Sequence, residues 1–474
     1  MKKIRKAHFI GIAGKGMSAL ALLLKQKGWR ITGSDEGSYQ PISGLLKRNR
    51  INFKKKYAAK NLPGNADVIV IGKHAKLVPE ENQEVRAAFV SGIPVKSLPE
   101  MLGELSAGME NTVVAGSFGK STVSALLAWC LVKAGKSPSY FIGAVPFGFK
   151  TNSKIGAGKD FIFEGDEYPS ANWDPASKFL YLRPKNLLLI SAEHDHFNVF
   201  PTEKDYVKPY KKLISLLPKD GLLVYNRKGK NLADLAMRAK CETVSYGMDK
   251  RCRWHPENIR YGTITSFKLF EGNKKIADIK TKMFGAHNVE NIVGACALLL
   301  TKKLLRPSEL MRAVASFKGL SGRLDSKTQN SRVRVYEAYG SSYAKARSAY
   351  EAIKLRFPKK RIITVFEPHT FSWRNRNNLG WYADIFKDSA ITIIWRPPKH
   401  GKNTHQQAGF SEILASARKS GGEIYGAEKK SEALKILRKS ARPDDVILLM
   451  TSGGLGGLIE KIPKLMEKMF PKKS

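Results

Sequence analysis

Cysteine is scarce and scattered. The four residues, Cys130, Cys241, Cys252 and Cys296, form no Cys-x-x-Cys pair. That spacing excludes a thiolate zinc ribbon and gives no disulfide framework. With no secretory leader, the thiols read as reduced and the expected location is cytoplasmic. Residues 1–17 carry a leader's positive charge, but glycines and Lys15 break the apolar run. No apolar stretch reaches the roughly 18 residues that span a bilayer. Acidic residues are also short. There are 41 Asp and Glu against 82 Lys and Arg, a formal net charge of +41 over 474 residues. Such an excess suits either a polyanionic partner or a basic surface around anionic small molecules. The basic residues are spread along the chain without an RNP-like segment or a Cys/His finger, so no specific nucleic-acid function is expected.

The rest is globular composition, with 42% hydrophobic and 9% aromatic residues. It excludes a disordered or fibrous chain, and the length calls for two to four domains. Strand and helix patterns alternate throughout, which predicts parallel α/β sheets. Strands are expected at His8 to Ile12, Arg30 to Gly33 and Asp67 to Ile71, with a helix from Met17 to about Lys27. A second unit has strands at Thr112 to Ala115, Phe161 to Phe163 and Leu187 to Ile190, with a helix from Ser121 to Lys133. A third has strands at Arg334 to Tyr336, Arg361 to Phe366, Ile391 to Ile394 and Val446 to Met450. Three α/β domains are expected, over residues 1–107, 108–321 and 322–474. No fixed-period repeat occurs, and the only biased tract is the Lys-rich tail from Pro471 to Ser474.

Two glycine turns carry chemistry. Gly11-Ile12-Ala13-Gly14-Lys15-Gly16 lies between a strand and a helix. There the backbone can approach a phosphate and the helix N-terminus favours its charge. Asp35 falls where a ribose-binding acid would sit. The turn alone fits a nucleotide sugar, a nicotinamide dinucleotide or a purely structural bend. The second turn, Gly116-Ser117-Phe118-Gly119-Lys120-Ser121-Thr122, is more specific, because it joins a buried strand to an apolar helix. Its N–H groups can cradle phosphates, Lys120 can reach the β and γ phosphates of ATP, and the Ser121 hydroxyl suits Mg²⁺. It is a short variant, since Val114 stands where the general pattern has its first glycine. Two acidic clusters end hydrophobic strands: Glu164, Asp166 and Glu167 with Tyr168, then Glu193-His194-Asp195-His196. Ligands of open parallel sheets gather at strand C-termini, so both clusters should face the loop. Oxygen ligands with one histidine fit Mg²⁺ better than Zn²⁺.

These residues, in this order, resemble the Mur ligases. The likeness continues in Gly285-Ala-His287-Asn288-Val-Glu-Asn291 and Gly319-Leu-Ser-Gly322-Arg323, and covers nearly the whole chain. Gly33 to Ser43, including Tyr39 and Pro41, looks like the murein peptide ligase branch. So do Tyr168, Asp174 to Phe179, Phe366 to Pro368, Arg374 and Gly453 to Gly457. The resemblance implies the three-domain architecture, with Rossmann-like outer domains and a central P-loop ATPase domain. It implies an ATP- and Mg²⁺-dependent ligase that joins an L-Ala-γ-D-Glu-diamino acid peptide to UDP-N-acetylmuramate through an acyl phosphate. Two alternatives stand beside it, an L-alanine ligase and a non-catalytic homologue. Carried over, Lys120, Glu164, His196 and Arg323 are catalytic, and Ser121, Glu164 and His196 hold Mg²⁺. Gly116 to Thr122, Asn288, Asn291, Arg323 and Glu337 bind ATP. Gly11, Ala13, Gly14, Gly16, Met17, Ser34 and Asp35 bind the UDP sugar, while Arg374 and Arg376 meet the amine substrate's carboxylates. A monomer or weak dimer is expected. Two departures stand out. The family's Asp-Asp-Tyr-Ala-His-His-Pro segment is Glu337-Ala338-Tyr339-Gly340-Ser341-Ser342-Tyr343, and Phe118 replaces a usual histidine.

Overall fold

The computed structural model describes residues 4–37, 40, 42–196, 199–397 and 406–472. The leader-like residues 1–3, Tyr39 and Pro41 of the branch resemblance, and the tail residues 473–474 lie outside them. Three sheets follow one another along the chain. The first has the order Arg30–Ser34, Lys6–Ile10, Val68–Ile71, Val95–Lys96, all parallel. Its helix Lys15–Gln26 is buried without a break from Met17 to Leu24, as befits a segment apolar on every face.

The middle sheet has ten strands. Glu110–Ala115 is central, paired in parallel with Asp160–Gly165 on one side and Asn186–Leu189 on the other. Three buried apolar strands in parallel are what a sheet covered on both faces requires. That register puts the loop from Gly116, the acids from Glu164 and the segment from Ile190 to His196 at one edge. The helix Lys120–Lys133 packs beneath it against the helices Ala286–Thr301 and Pro307–Ser316. On the other flank the sheet continues in parallel through Leu222–Asn226, Glu242–Tyr246 and Trp254–Arg260. Beyond it Thr265–Glu271 and Lys274–Thr281 extend the sheet as antiparallel strands. Their burial alternates residue by residue, the pattern of a sheet with one wet face.

In the third sheet Val446–Thr451 lies between Arg334–Tyr339 and Ile362–Phe366, followed by Ile391–Trp395 and Glu423–Ala427, all parallel. The antiparallel strand Arg323–Ser326 closes its edge. The strands are found where expected, with ends shifted by a residue or two in most and by three in Arg334–Tyr339. Among the described residues, no helix is long and apolar enough to cross a membrane.

Candidate active site

A cavity of about 780 Å³ opens where the three sheets meet. Gly16 and Leu98 line it from the first, Lys120, Ser121, Glu164 and His196 from the second, and Arg323, Tyr339 and Lys345 from the third.

The phosphate loop forms its floor. Gly116 has φ +145° and Gly119 has φ +78°, a region that L side chains rarely adopt. Space is equally short, since a Cβ on Gly119 would lie 2.8 Å from Asn291 Oδ1 and one on Gly116 2.8 Å from the Ser191 amide. The helix N-terminus at Lys120 then points into the cavity, where it favours anions. The loop is tied to its neighbours. Ser117 Oγ donates to the Glu193 carbonyl at 2.6 Å, and the Phe118 amide donates to Ser191 Oγ. Thr122 lines the cavity just inside the helix, and Asn288 lines it while donating to the Phe284 carbonyl at 2.8 Å.

Lys120 donates to the Gly116 carbonyl at 2.6 Å and to both oxygens of Glu167, at 3.0 and 2.7 Å. Burial opposes its charge, but Glu167 and Asp166 outweigh burial and hold its pKa above the ordinary lysine value. Glu167 is fully buried and also lies 3.0 Å from His196 Nε2. His196 Nδ1 pairs with the Tyr168 hydroxyl at 2.9 Å, and its backbone is left-handed at φ +58°. Ser121 Oγ donates to Glu164 Oε1 at 2.7 Å, while the Gly143 amide donates to Oε2 at 2.6 Å. Asp166 pairs with Lys178 at 2.6 Å, and burial, which raises a carboxyl, loses to the two lysines nearby.

The expected metal set is therefore brought together in part. Ser121 and Glu164 adjoin and offer hard oxygens, a donor set that fits Mg²⁺, an ion that keeps waters and phosphates as its remaining ligands. His196 shares the cavity but is bonded to Glu167 and Tyr168. Among the described residues, no group of three or more His, Cys, Asp and Glu could hold an ion by itself.

Arg323 lines the cavity, its guanidinium 4.0 Å from the Tyr339 ring centroid. Ala338 and Tyr339 also line it, whereas Glu337 does not. Glu337 is held by Lys327 at 2.5 Å and lies beside Gly322, where an added Cβ would be 3.4 Å from its Oε1. It is thus not brought to the cavity where the ribose contact was expected. Arg374 and Arg376 are likewise outside the lining. Arg374 is buried with Gln407 at 3.3 Å, and Arg376 pairs with Glu412 at 3.1 Å.

Of the first turn, only Gly16 reaches this cavity. Gly11 has φ +83°, and a Cβ there would strike Leu77. Gly14 caps the helix and Met17 is buried beneath it. Asp35 folds back over the turn, accepting from the Ala13 amide at 2.8 Å and the Gly37 amide at 2.9 Å. Ser34 Oγ donates to buried Glu84 at 2.7 Å, which His8 also meets at 2.8 Å. Sequence reasoning missed Lys345, which lines the cavity, since it belongs to no motif. Glu167 and Asp195 stood inside quoted clusters but were given no role.

A P-loop at the edge of a parallel sheet, with acids at adjoining strand ends and two further α/β sheets over it, defines a multidomain nucleotide-binding enzyme class. The chain belongs to the Mur ligase family. Residues 6–109 match the model of the "Mur ligase family, catalytic domain", residues 114–299 the "Mur ligase middle domain", and residues 322–453 the "Mur ligase, glutamate ligase domain". The chain is 27% identical to the UDP-N-acetylmuramate–L-alanyl-γ-D-glutamyl-meso-2,6-diaminoheptandioate ligase of Escherichia coli K12, over 96% of this chain and 97% of that one. It is 28% identical to the UDP-N-acetylmuramate–L-alanine ligase of Geobacter sp. strain M21, over 96% of each. Among solved structures, the alanine ligase of Thermotoga maritima superposes with a TM-score of 0.78 at 21% identity, covering 97% of this chain and 98% of its own. The murein peptide ligase of Psychrobacter arcticus superposes with 0.69 at 21%, covering 98% and 99%.

Proposed function

We propose that the protein is an ATP-dependent ligase that couples UDP-N-acetylmuramate to an L-Ala-γ-D-Glu-diamino acid peptide by an amide bond. The observation that carries this is the cavity holding Lys120, Ser121 and Glu164 below Arg323 of the third sheet. A carboxylate resists attack by an amine, so ATP must first convert it to an acyl phosphate. The amine nitrogen then attacks the acyl carbon, and phosphate leaves with the C–O bond electrons. Lys120 and Arg323 would offset the charge of the moving phosphoryl group. Ser121, Glu164 and His196 would hold Mg²⁺, which supplies further charge neutralisation when bound. For His196 that means exchanging Glu167 for the ion. Residues 1–107 would hold the UDP sugar against the Gly11 turn, residues 108–321 the ATP, and residues 322–474 the amine. ATP and a nucleotide sugar as substrates support a cytoplasmic location.

A second reading, coupling of free L-alanine, is supported by the 28% identity to the Geobacter alanine ligase. The deciding experiment is ADP release with UDP-N-acetylmuramate, ATP and a panel of amine donors. Release with the tripeptide supports the first reading, and release with L-alanine alone supports the second. No release with any donor, while the sugar nucleotide still binds, would leave a non-catalytic homologue.

A further inference from the structure

Lys345 is a third-domain cation that reaches the phosphate loop. It lies in the first turn of the helix Tyr343–Arg356, two residues past the segment that departs from the family pattern. Its Nζ is 3.4 Å from Asp195 Oδ2 and 5.3 Å from the centroid of the Phe118 ring. Phe118 is the other departure from that pattern, and Lys345 meets it in space from 227 residues away. Lys345 lines the same cavity as Lys120, Ser121, Glu164 and His196. Only 22% of its side chain is exposed. Burial pushes its ammonium below the ordinary lysine range, Asp195 pulls it back, and the nearby charge of Lys120 lowers it again. Both ammonium groups line one cavity beside the phosphate loop, where a ligand's negative charge can meet them together. A triphosphate bound along the loop supplies it.

We infer that Lys345 is a direct ligand of the terminal phosphate of ATP, delivered by the third domain and parked on Asp195 when no nucleotide is bound. This rests on the ligase reading above and adds a residue to it. Aromatic Phe118 suits the task. It gives the lysine stem an apolar face and the ammonium a π surface, without donating a competing hydrogen bond. The pairing also links nucleotide binding to closure, since the cation comes from a different sheet than the loop it serves.

The test compares binding of ADP and of adenylyl-imidodiphosphate, with Mg²⁺, to the full-length wild type, Lys345→Met, Lys345→Arg and Asp195→Asn. Lys345→Met should bind ADP as the wild type does, which also reports an intact fold, and bind the triphosphate analogue about tenfold or more weakly, the usual cost of a charged hydrogen bond. Lys345→Arg should recover most of that loss, and Asp195→Asn should not share it. An unchanged ratio of analogue to ADP affinity in Lys345→Met would overturn the assignment, as would an equal loss in Asp195→Asn, which is what a mere interdomain latch predicts. A loss confined to the KM of the amine would overturn it too, moving Lys345 to that substrate. A wild type that binds neither nucleotide would overturn this inference and the ligase reading together. A wild type that binds both but releases no ADP would sink only the ligase reading.

Discussion

Lys120 and Glu167 form a buried ion pair at 2.7 Å in the heart of the phosphate loop, with Glu167 wholly shielded from water. A carboxylate so placed holds the lysine where a β or γ phosphate would displace it. Removing one partner of a buried pair leaves an uncompensated charge and costs roughly 3–5 kcal/mol. Glu167→Gln should therefore lower stability by an amount of that order and impair catalysis together. Lys120→Ala should abolish phosphate release while leaving UDP-N-acetylmuramate affinity within about twofold, because the Gly11 turn is built from another sheet. Titration calorimetry with the sugar nucleotide checks this, and a parallel loss of both activities would refute the separation of sites.

Glu164→Ala and Ser121→Ala should each raise the Mg²⁺ concentration needed for half-maximal rate, by about 10–100-fold. The two side chains are hydrogen-bonded to one another, so the double variant should cost less than the product of the singles. His196→Ala should act differently. It frees one oxygen of Glu167 and should tighten the hold on Lys120, lowering kcat as well as metal affinity. Rates that ignore all three changes at saturating ATP would dismiss the metal assignment.

Ala338 is buried and lines the cavity, whereas Glu337 stays outside the lining, tied to Lys327. Ala338→Asp should lower the KM for ATP, by about tenfold if one good hydrogen bond to a ribose hydroxyl forms. Glu337→Ala should leave that KM alone and reduce stability through Lys327 instead. A rise in KM on Glu337→Ala would restore the ribose role expected from the sequence.

His287 gives a pH signature. Burial pushes its pKa from 6.5 down to about 4. Above pH 6.5 both folded and unfolded states are neutral, and the residue contributes no pH dependence. As pH falls from 6.5 toward 4, only the unfolded state takes up the proton, so stability falls across that window. His287→Gln should flatten this slope relative to wild type in urea unfolding monitored from pH 7 to pH 4.5. An unchanged slope would mean that the imidazole is freely solvated.

Legibility followed locality. The phosphate loop, its strand and its helix are adjacent in sequence and obey strong patterns, so Gly116 to Thr122 read out directly. Glu164 and His196 read out because strand ends collect ligands in parallel sheets. The antiparallel strands near residues 254–281 carried a period-2 signal, overlooked because the rest of the chain alternates strand and helix. Lys345 carried no signal. It meets Asp195 across 150 residues, and one more lysine in a chain of +41 is invisible until the domains meet. Glu337 and Ala338 show the finer limit. Ala338 and Tyr339 both line the cavity while Glu337 is tied to Lys327, a placement that strand alternation alone does not give.

The amine donor is the sharpest remaining choice, and the two arginines assigned to it are placed unequally. Arg374 is 2% exposed, seated over Phe371 at 5.5 Å and bonded to Gln407. Arg376 is half exposed and already paired with Glu412. A surface pair of that kind contributes little, so Arg376→Ala should change peptide KM less than about threefold. Arg374 is desolvated enough that burial lowers its pKa, and the family resemblance assigns it to the amine substrate. A peptide carboxylate reaching it would form a charge-assisted, two-pronged bond that free L-alanine is too short to share. Arg374→Met should therefore reduce kcat/KM for L-Ala-γ-D-Glu-diamino acid by about tenfold or more, with the rate on L-alanine unaffected. Arg374→Lys should rescue only part, since a lysine cannot reproduce the fork. The readout is kcat/KM for both donors at fixed UDP-N-acetylmuramate. If wild type prefers L-alanine, the tripeptide assignment falls while the ligase reading stands. If Arg374→Met slows both donors equally, Arg374 supports the third domain's fold and does not select the donor.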